Sequence, residues 1–217
     1  MANLFPPSIN WLPIKILICL SLTLAAAVAG VTYYFTPKYT RVGYMPTQPI
    51  AFSHALHVNQ LGMDCRYCHS HVEISGHSNV PTTQTCMNCH SQIKKDSPKL
   101  AVLRESWETG KPIPWIKIHQ APDYVYFNHA AHVTRGVSCV SCHGNVNHME
   151  VVWHHQPMSM GWCLECHRNP EFHLRPASEV TNLDWTPPVG TTQREIGLQI
   201  QKAANIQPPL NCSGCHR

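Results

Sequence analysis

Five copies of the pentapeptide Cys-x-x-Cys-His recur along this chain of 217 residues. The copies begin at Cys65, Cys86, Cys139, Cys163 and Cys212. Each copy has two thiols three residues apart and an imidazole directly after the second thiol, which is the arrangement to which c-type haem is attached. Zinc ribbons also use paired cysteines, but they need no histidine after every second cysteine. The spacing therefore predicts five covalently attached c-type haems, each with its iron.

The residues of the five motifs divide into two roles. The thiols would form thioethers to the porphyrin, and each histidine would lie beneath the iron as its proximal ligand. The ten thiols are those of Cys65, Cys68, Cys86, Cys89, Cys139, Cys142, Cys163, Cys166, Cys212 and Cys215. The five proximal ligands are His69, His90, His143, His167 and His216. The eleventh cysteine, Cys19, lies in an apolar run, where we expect an inert thiol.

A six-coordinate haem iron needs a second axial ligand, and eleven of the sixteen histidines lie outside the motifs. Two segments share the pattern Phe-x-His-x-x-His, one starting at Phe52 and the other at Phe127. Because residues three apart share a helix face, the two imidazoles of each segment can diverge toward two different irons. The candidate distal ligands are His54, His57, His129 and His132 from these segments, together with His77 and His119. The sequence leaves open His71, His148, His154, His155 and His173, and Met149 or Met160 as either a ligand or filler around a porphyrin.

The two Phe-x-His-x-x-His segments also mark an internal duplication. Each one precedes two haem motifs, which gives a first two-haem module at residues 50–91 and a second at 125–168. A connector, 92–124, joins them; in it Ser97-Pro98 predicts a helix start and Gly110 a helix end. An arm, 169–217, carries the fifth haem. Its prolines predict an extended path over the surface, with a short helix at 191–204.

The N-terminal part of the chain predicts a membrane anchor. Residues 16–35 contain no charge and end in Tyr33, Tyr34 and Phe35. Twenty helical residues span about 30 Å, the thickness of the hydrocarbon layer, and aromatic residues favour its boundary. A signal peptide cleaved after Ala29 is the alternative, but the apolar run continues past that position. We expect a retained transmembrane helix.

Orientation follows from the haems, because bacterial c-type haems are attached outside the cytoplasmic membrane. Residues 1–15 would then be cytoplasmic. Residues 36–49, rich in proline, would form a tether to a periplasmic haem domain at the bacterial inner membrane.

Composition limits both the fold class and the partners. The formal charge is +4, but ten propionates and five ferric haem cores would bring it to about −1, and full reduction to about −6, so the basic composition does not indicate nucleic-acid binding. Residues 36–217 provide about 36 residues for each haem, too few for a separate apolar core around each one. The predicted fold is mainly α and irregular, with the haems acting as the core.

Longer stretches of the sequence resemble known multihaem cytochromes. The Phe-x-His-x-x-His segments followed by haem motifs resemble the class III cytochromes. Three segments, DCRYCHSHVEISGHSNVPTTQTCMNCH, DYVYFNHAAHV and MGWCLECHRNPE, together with the anchor and the five motifs, resemble the pentahaem cytochrome c subunit of bacterial alternative complex III. That family implies a membrane complex, respiratory or photosynthetic, in which neighbouring subunits oxidise quinol and this subunit carries the electrons toward a periplasmic acceptor. It also makes the six distal candidates from His54 to His132 the leading ones, one more than five irons need.

Two other functions are compatible with an anchored multihaem chain. One is a stand-alone membrane-anchored quinol dehydrogenase that feeds a periplasmic reductase. The other is a catalytic pentahaem reductase, which needs an open iron position and often has Lys in place of a proximal His. All five motifs here end in His, which argues against the reductase. We expect no catalytic residue in the chain itself and no enzyme activity without partner subunits.

The motif count predicts the covalent mass of the protein. Intact-mass measurement of the full chain should show five added haems. The double variant Cys212→Ala, Cys215→Ala should show four, because its fifth motif can form no thioether. A mass equal to that of the bare chain would overturn the haem assignment.

Overall fold

A computed structural model describes residues 6–35 and 41–216. Two compact units make up the chain, residues 1–42 and residues 43–217. Residues 1–5 of the predicted cytoplasmic segment, residues 36–40 of the predicted tether and position 217 lie outside the described residues.

The first unit is built on one long helix. A 3-10 helix at Pro7–Trp11 leads into α1, Leu12–Phe35, none of whose side chains is buried. The helix starts four residues before the predicted span, because Pro13 fits the first turn of a helix, where its missing N–H would have no partner. The stretch Pro7–Phe35 is long and apolar enough to cross a membrane.

The second unit is mainly helical and irregular, as predicted. After a π-helical segment at Ala55–Gln60, its α-helices are α2 (Cys65–Cys68), α3 (Thr83–His90), α4 (Ala101–Thr109), α5 (His129–Val133), α6 (Cys139–His143), α7 (Met160–Arg168) and α8 (Gln193–Ala203). Short 3-10 helices lie at Pro98–Leu100, Val146–His148, Pro170–Phe172, Ala177–Glu179 and Cys212–Gly214. The described part of the chain contains no β-strand, and its isolated bridges are Val125 with His216 and Val137 with Leu174.

Four of the five motif turns begin at a capping residue. A side-chain oxygen accepts a hydrogen bond from a backbone N–H of the first turn, which would otherwise lack a partner. The four capping residues are Asp64, Ser138, Ser159 and Asn211. A single capped turn is enough to bring the two thiols of a Cys-x-x-Cys pair to the same side of the backbone.

The connector packs against the first two-haem module. Its helix begins as a 3-10 turn at Pro98–Leu100, continues as α4 and ends where Gly110 takes the left-handed conformation, φ 69°. The predicted start and end are therefore found, although the Ser97 side chain makes no capping bond. Leu103 of α4 is buried with Ile50 and Ile113, and Cys86 and Met87 of α3 pack on this cluster.

The C-terminal arm does not follow the extended surface path that its prolines predict. Pro170 begins a 3-10 helix, and Pro176 precedes another, so the chain turns back on itself. Leu174 and Val180 are thereby buried, with 1% and 2% of their surfaces exposed. The bridge to Val137 and a bond from Ser138 Oγ to the Val180 carbonyl join the arm to the second module.

The arm contains the α-helix α8, which agrees with the helix predicted at 191–204. Its first turn carries a capping box formed by Thr192 and Glu195. Gly197, which is buried, lies directly against the backbone of Glu171 in the preceding 3-10 helix.

The packing of α8 predicts a sensitive glycine. Gly197→Ala would put a methyl group into the backbone of Glu171, and overpacking of this kind costs about 1–3 kcal/mol. Thermal unfolding of the haem-loaded protein, followed by Soret absorbance, should show the loss. The control Gln199→Ala lies on the exposed side of the same helix and should stay within about 0.5 kcal/mol of the wild type. Equal stability of the two variants would contradict the packing described.

Candidate haem sites

Four of the five motif histidines are held in one tautomer by the backbone. In each, Nδ1 hydrogen-bonds to a carbonyl oxygen, which can only accept, so Nδ1 carries the proton and Nε2 keeps its lone pair in the neutral ring. The bonds are His69 to Asn79 at 2.7 Å, His90 to Ile93 at 2.9 Å, His167 to Pro209 at 2.8 Å and His216 to Tyr124 at 3.2 Å. Histidines that bind metals are oriented by this kind of bond.

The two Phe-x-His-x-x-His segments fold into the same local geometry. Phe52 stacks on His57, with ring centroids 4.3 Å apart, and meets His54 edge-on at 4.9 Å. Phe127 stacks on His132 at 4.5 Å and meets His129 edge-on at 4.8 Å. One phenyl ring thus fixes two imidazoles at a large angle to each other. The sequence pattern did not indicate this contact between each phenylalanine and its two histidines.

The second histidine of each segment faces the second motif of its own module. The Nδ1 atoms of His57 and His132 bond to the carbonyls of Ser53 and Asn128, four residues earlier, at 2.9 and 2.7 Å. The ring centroid of His57 lies 6.3 Å from that of His90, and the centroid of His132 lies 6.1 Å from that of His167. Two imidazoles on one metal ion have centroids roughly 6 Å apart, since each metal–nitrogen bond is about 2 Å. Both pairs fit a shared iron.

The first and third motifs have buried imidazoles around them. Burial lowers the pKa of His54 to about 4, with His69 and His57 as neighbouring charges. Burial likewise lowers the pKa of His143 to about 3 and that of His119 to about 4. These rings are therefore neutral at pH 7, as an iron ligand must be. His119 and His143 touch edge to face at 4.3 Å, closer than two rings that share an iron.

The last two distal candidates, His77 and His129, lie near each other at the loop that contains Gly76. His129 bonds through Nδ1 to the Gly76 carbonyl at 3.1 Å, and burial lowers its pKa, with His77 and His69 as neighbours. His77 itself is exposed.

The motif histidine of the fifth site, His216, lies beside the ring of Tyr124, with ring centroids 5.6 Å apart.

Several residues that the sequence left open are also placed. His154 is wholly buried, 5.4 Å from His119 between ring centroids, and only its doublet with His155 could have drawn attention to it. The ring of His155 lies against Gly144. Both nitrogens of His148 are engaged, Nε2 with Asp184 at 2.9 Å and Nδ1 with Asn59 at 3.4 Å.

The remaining open candidates occupy other positions. Burial lowers the pKa of His173, while His71 is exposed. Met160 has 65% of its surface exposed. The Met149 carbonyl accepts a bond from Ala55 N–H at 3.1 Å.

The motif thiols follow one another in space in an order that the sequence does not reveal. Cys86 neighbours Cys68 of the first motif, and Cys65 neighbours Cys139 of the third. Burial raises the pKa of Cys142 to about 12, with Cys166 and Cys163 of the fourth motif as neighbours, and Cys163 in turn neighbours Cys215 of the fifth. We call this succession the thiol line. It joins the motifs in the order second, first, third, fourth, fifth.

The residues present fit porphyrin-bound iron. Among the described residues, imidazole nitrogens buried without a hydrogen-bond partner include His54 Nδ1, His119 Nε2 and His155 Nδ1. Nitrogen atoms of this kind need either a hydrogen bond or a metal ion. Among the described residues, no group of three or more His, Cys, Asp or Glu side chains is arranged to hold a bare metal ion.

Comparisons with known proteins indicate a relationship to c-type cytochromes. The family described as cytochrome c7 and related cytochrome c matches residues 50–107, which hold the first predicted module and the start of the connector. The chain is also 35% identical over 150 residues to the menaquinone reductase, multihaem cytochrome c subunit, of Nitratidesulfovibrio vulgaris. The alignment covers 58% of this chain and 70% of that relative.

The facing imidazoles predict the effect of removing one of them. His57→Ala should leave the iron of the second site without its distal ligand, so about one haem in five should lose its low-spin EPR signal and bind carbon monoxide when ferrous. His148→Ala is the matched control, because both ring nitrogens of His148 are already hydrogen-bonded. An unchanged spectrum for His57→Ala, or an equal change in the control, would refute the pairing.

Proposed function

The chain belongs to the family of this multihaem cytochrome c subunit, and from that premise we propose that it is the electron-transfer subunit of a membrane quinone oxidoreductase. Its cofactor is c-type haem, as in the cytochromes c that it matches. We propose five haems, one at each Cys-x-x-Cys-His motif. The relative is the cytochrome subunit of a menaquinone reductase, and the longer motifs support the more specific assignment to an alternative complex III.

The residues that would hold the haems follow from the site geometry. The ten motif cysteines would form the thioethers, and the five motif histidines would be the proximal ligands. We assign His57 as the distal ligand opposite His90, His132 opposite His167, and His54 opposite His69. His119 and His129 both neighbour His143, and His77 completes the set of candidates.

Each bound haem supplies an iron that gains or loses one electron. The chain itself fixes what surrounds that iron. Carbonyls hold the imidazole tautomers, the two phenylalanines hold the angles between distal rings, and burial keeps His54, His119 and His143 neutral. Axial positions that are filled before and after electron transfer need little rearrangement, so this donor set favours electron transfer over bond-making chemistry.

The thiol line is the observation that carries the proposal. Each of the five motifs has a thiol that neighbours a thiol of another motif, and these neighbours can be followed from the second motif to the fifth. The second motif is at one end and the fifth at the other. A linear array with two ends is what a subunit needs if electrons enter from one partner and leave to another.

Quinone chemistry would belong to partner subunits. Quinol oxidation releases protons as well as electrons, and α1 contains no carboxylate or histidine to receive them. We therefore propose that α1 is a single-pass anchor in the bacterial inner membrane. The N-terminus would be cytoplasmic, the haem domain would be periplasmic, and the acceptor would be a periplasmic carrier.

The proposal is tested by separating the chain from its partners. The haem-loaded chain, purified alone in mild detergent, should show no saturable reduction by a menaquinol analogue, whereas the intact complex should reduce all five haems. Dithionite should reduce the isolated chain fully, which shows that its haems are competent. Rapid, inhibitor-sensitive reduction of the isolated chain would instead identify a stand-alone quinol dehydrogenase.

A further inference from the structure

A cluster of lysines lies directly after the second motif. Gln92, Lys94, Lys95, Asp96, Ser97 and Lys99 line an open surface cleft of about 550 Å³. We call residues 92–99 the lysine loop. It carries three cations and one carboxylate, and all four charged side chains are exposed. Isolated surface lysines are ordinary, but three on one six-residue stretch form a local positive field.

The lysine loop is held in a fixed shape. Arg104 Nη1 donates to the carbonyls of Lys95 and Ser97, at 2.7 and 2.9 Å. Ser97 N–H closes a turn on the Lys94 carbonyl at 2.9 Å, and Lys94 itself takes the left-handed conformation with φ 51°. This conformation is unfavourable for a residue other than glycine, so the surrounding hydrogen bonds must hold the backbone of the loop in it. The ammonium groups are therefore presented from a rigid backbone.

The same loop is joined to the second haem site. The Ile93 carbonyl, one residue before Lys94, accepts the hydrogen bond that orients His90. The backbone N–H groups of Gln92 and Ile93 both bond to the Cys89 carbonyl, at 3.0 and 2.8 Å. Cys89 is exposed, and this motif ends the thiol line. A protein that sits on the lysine loop would thus be next to the terminal site of the array.

Charge favours one class of partner for this position. With five haems, the whole chain would carry a net charge of about −1 when oxidised and about −6 when reduced, so the net charge gives an acidic protein no overall attraction. The lysine loop is a local excess of positive charge beside the second motif. Local attraction of this kind orients an acidic partner and raises its association rate.

We propose that the lysine loop is the docking patch for the acidic face of a soluble one-electron carrier protein at the second haem site. The inference rests on the proposed function and adds the chemistry of the partner to it. One electron passes between the iron of the second site and the carrier's own redox centre. One centre is oxidised as the other is reduced, and no atom or proton is transferred.

Zero-length cross-linking tests the contact without relying on electron transfer. The full-length haem-loaded protein is treated with carbodiimide in the presence of oxidised plant-type [2Fe–2S] ferredoxin, an acidic one-electron carrier, and the products are mapped by peptide mass spectrometry. We expect lysine–carboxylate cross-links at Lys94, Lys95 and Lys99. Lys111 and Lys202, which are also exposed, are the internal controls. Cross-links spread evenly over all exposed lysines would overturn the proposal.

Charge reversal then tests the electron-transfer rate. Reduced ferredoxin is mixed with the oxidised protein in a stopped-flow instrument at several salt concentrations. The variant Lys94→Glu, Lys95→Glu, Lys99→Glu should lower the second-order rate constant at low salt by about tenfold or more and flatten its salt dependence. The variant Lys111→Glu, Lys202→Glu should remain within about twofold of the wild type. An equal loss in both variants would show a general charge effect and overturn the docking patch.

A membrane surface is the competing partner for a lysine cluster. The protein in nanodiscs of zwitterionic or anionic lipid is acetylated briefly, and protection of Lys94 and Lys95 is measured. Protection by anionic lipid, with none by ferredoxin, would overturn the proposal in favour of lipid. Dithionite reduction of all the haems in every variant separates the two proposals, because incomplete reduction would count against the array itself.

Discussion

The hydrogen bond from an imidazole Nδ1–H to a backbone carbonyl is the interaction on which the haem sites depend. It fixes the tautomer and the direction of Nε2 together, before any metal is bound. One such bond stabilises a fold by only about 1 kcal/mol. Each bond also requires the segment that supplies the carbonyl to lie beside the histidine. The carbonyls that hold His69 and His90 lie nearby in the sequence, at Asn79 and Ile93. Those that hold His167 and His216 come from other segments, at Pro209 in the arm and Tyr124 at the end of the connector. The arm and the connector must therefore pass beside the fourth and fifth sites.

A second constraint is the small amount of apolar side chain available. Among the described residues the buried apolar side chains are Ile50, Ala55, Leu103, Ile113, Val133, Leu174, Val180 and Leu183. They form short contacts at the junctions between segments instead of one continuous core, and Leu174 and Val180 come from the arm. Porphyrin rings are large and apolar, so five of them would supply the surface that these side chains do not. The short helices of the first and third motifs are in keeping with this, because helices of four and five residues have little stability by themselves.

Local signals in the sequence predicted the fold class, the apolar helix α1 and the end of the connector helix at Gly110. Each of these depends on residues within one turn or one span of each other. The path of the arm was predicted wrongly, because its prolines were interpreted as extended backbone, whereas Pro170 and Pro176 introduce 3-10 turns that bury Leu174 and Val180. The order of the motifs in space, the burial of His154 and the facing of His57 with His90 depend on contacts between distant segments. No periodicity or spacing in one sequence encodes those contacts.

The duplication explains why the array is linear and why its ends differ. In both modules the Phe-x-His-x-x-His segment faces the second motif, at 6.3 and 6.1 Å between ring centroids. The first motifs meet each other instead, through Cys65 and Cys139. When two copies are joined through their first motifs, their second motifs follow on either side, and the fifth motif neighbours the fourth through Cys163 and Cys215. One end is therefore followed by the connector and its lysine loop, while the other lies beside the exposed Tyr124, Tyr126 and Leu210. A symmetric pair of modules would offer the same surface to any partner at both ends, so the connector and the added motif are what allow each end to recognise a different protein.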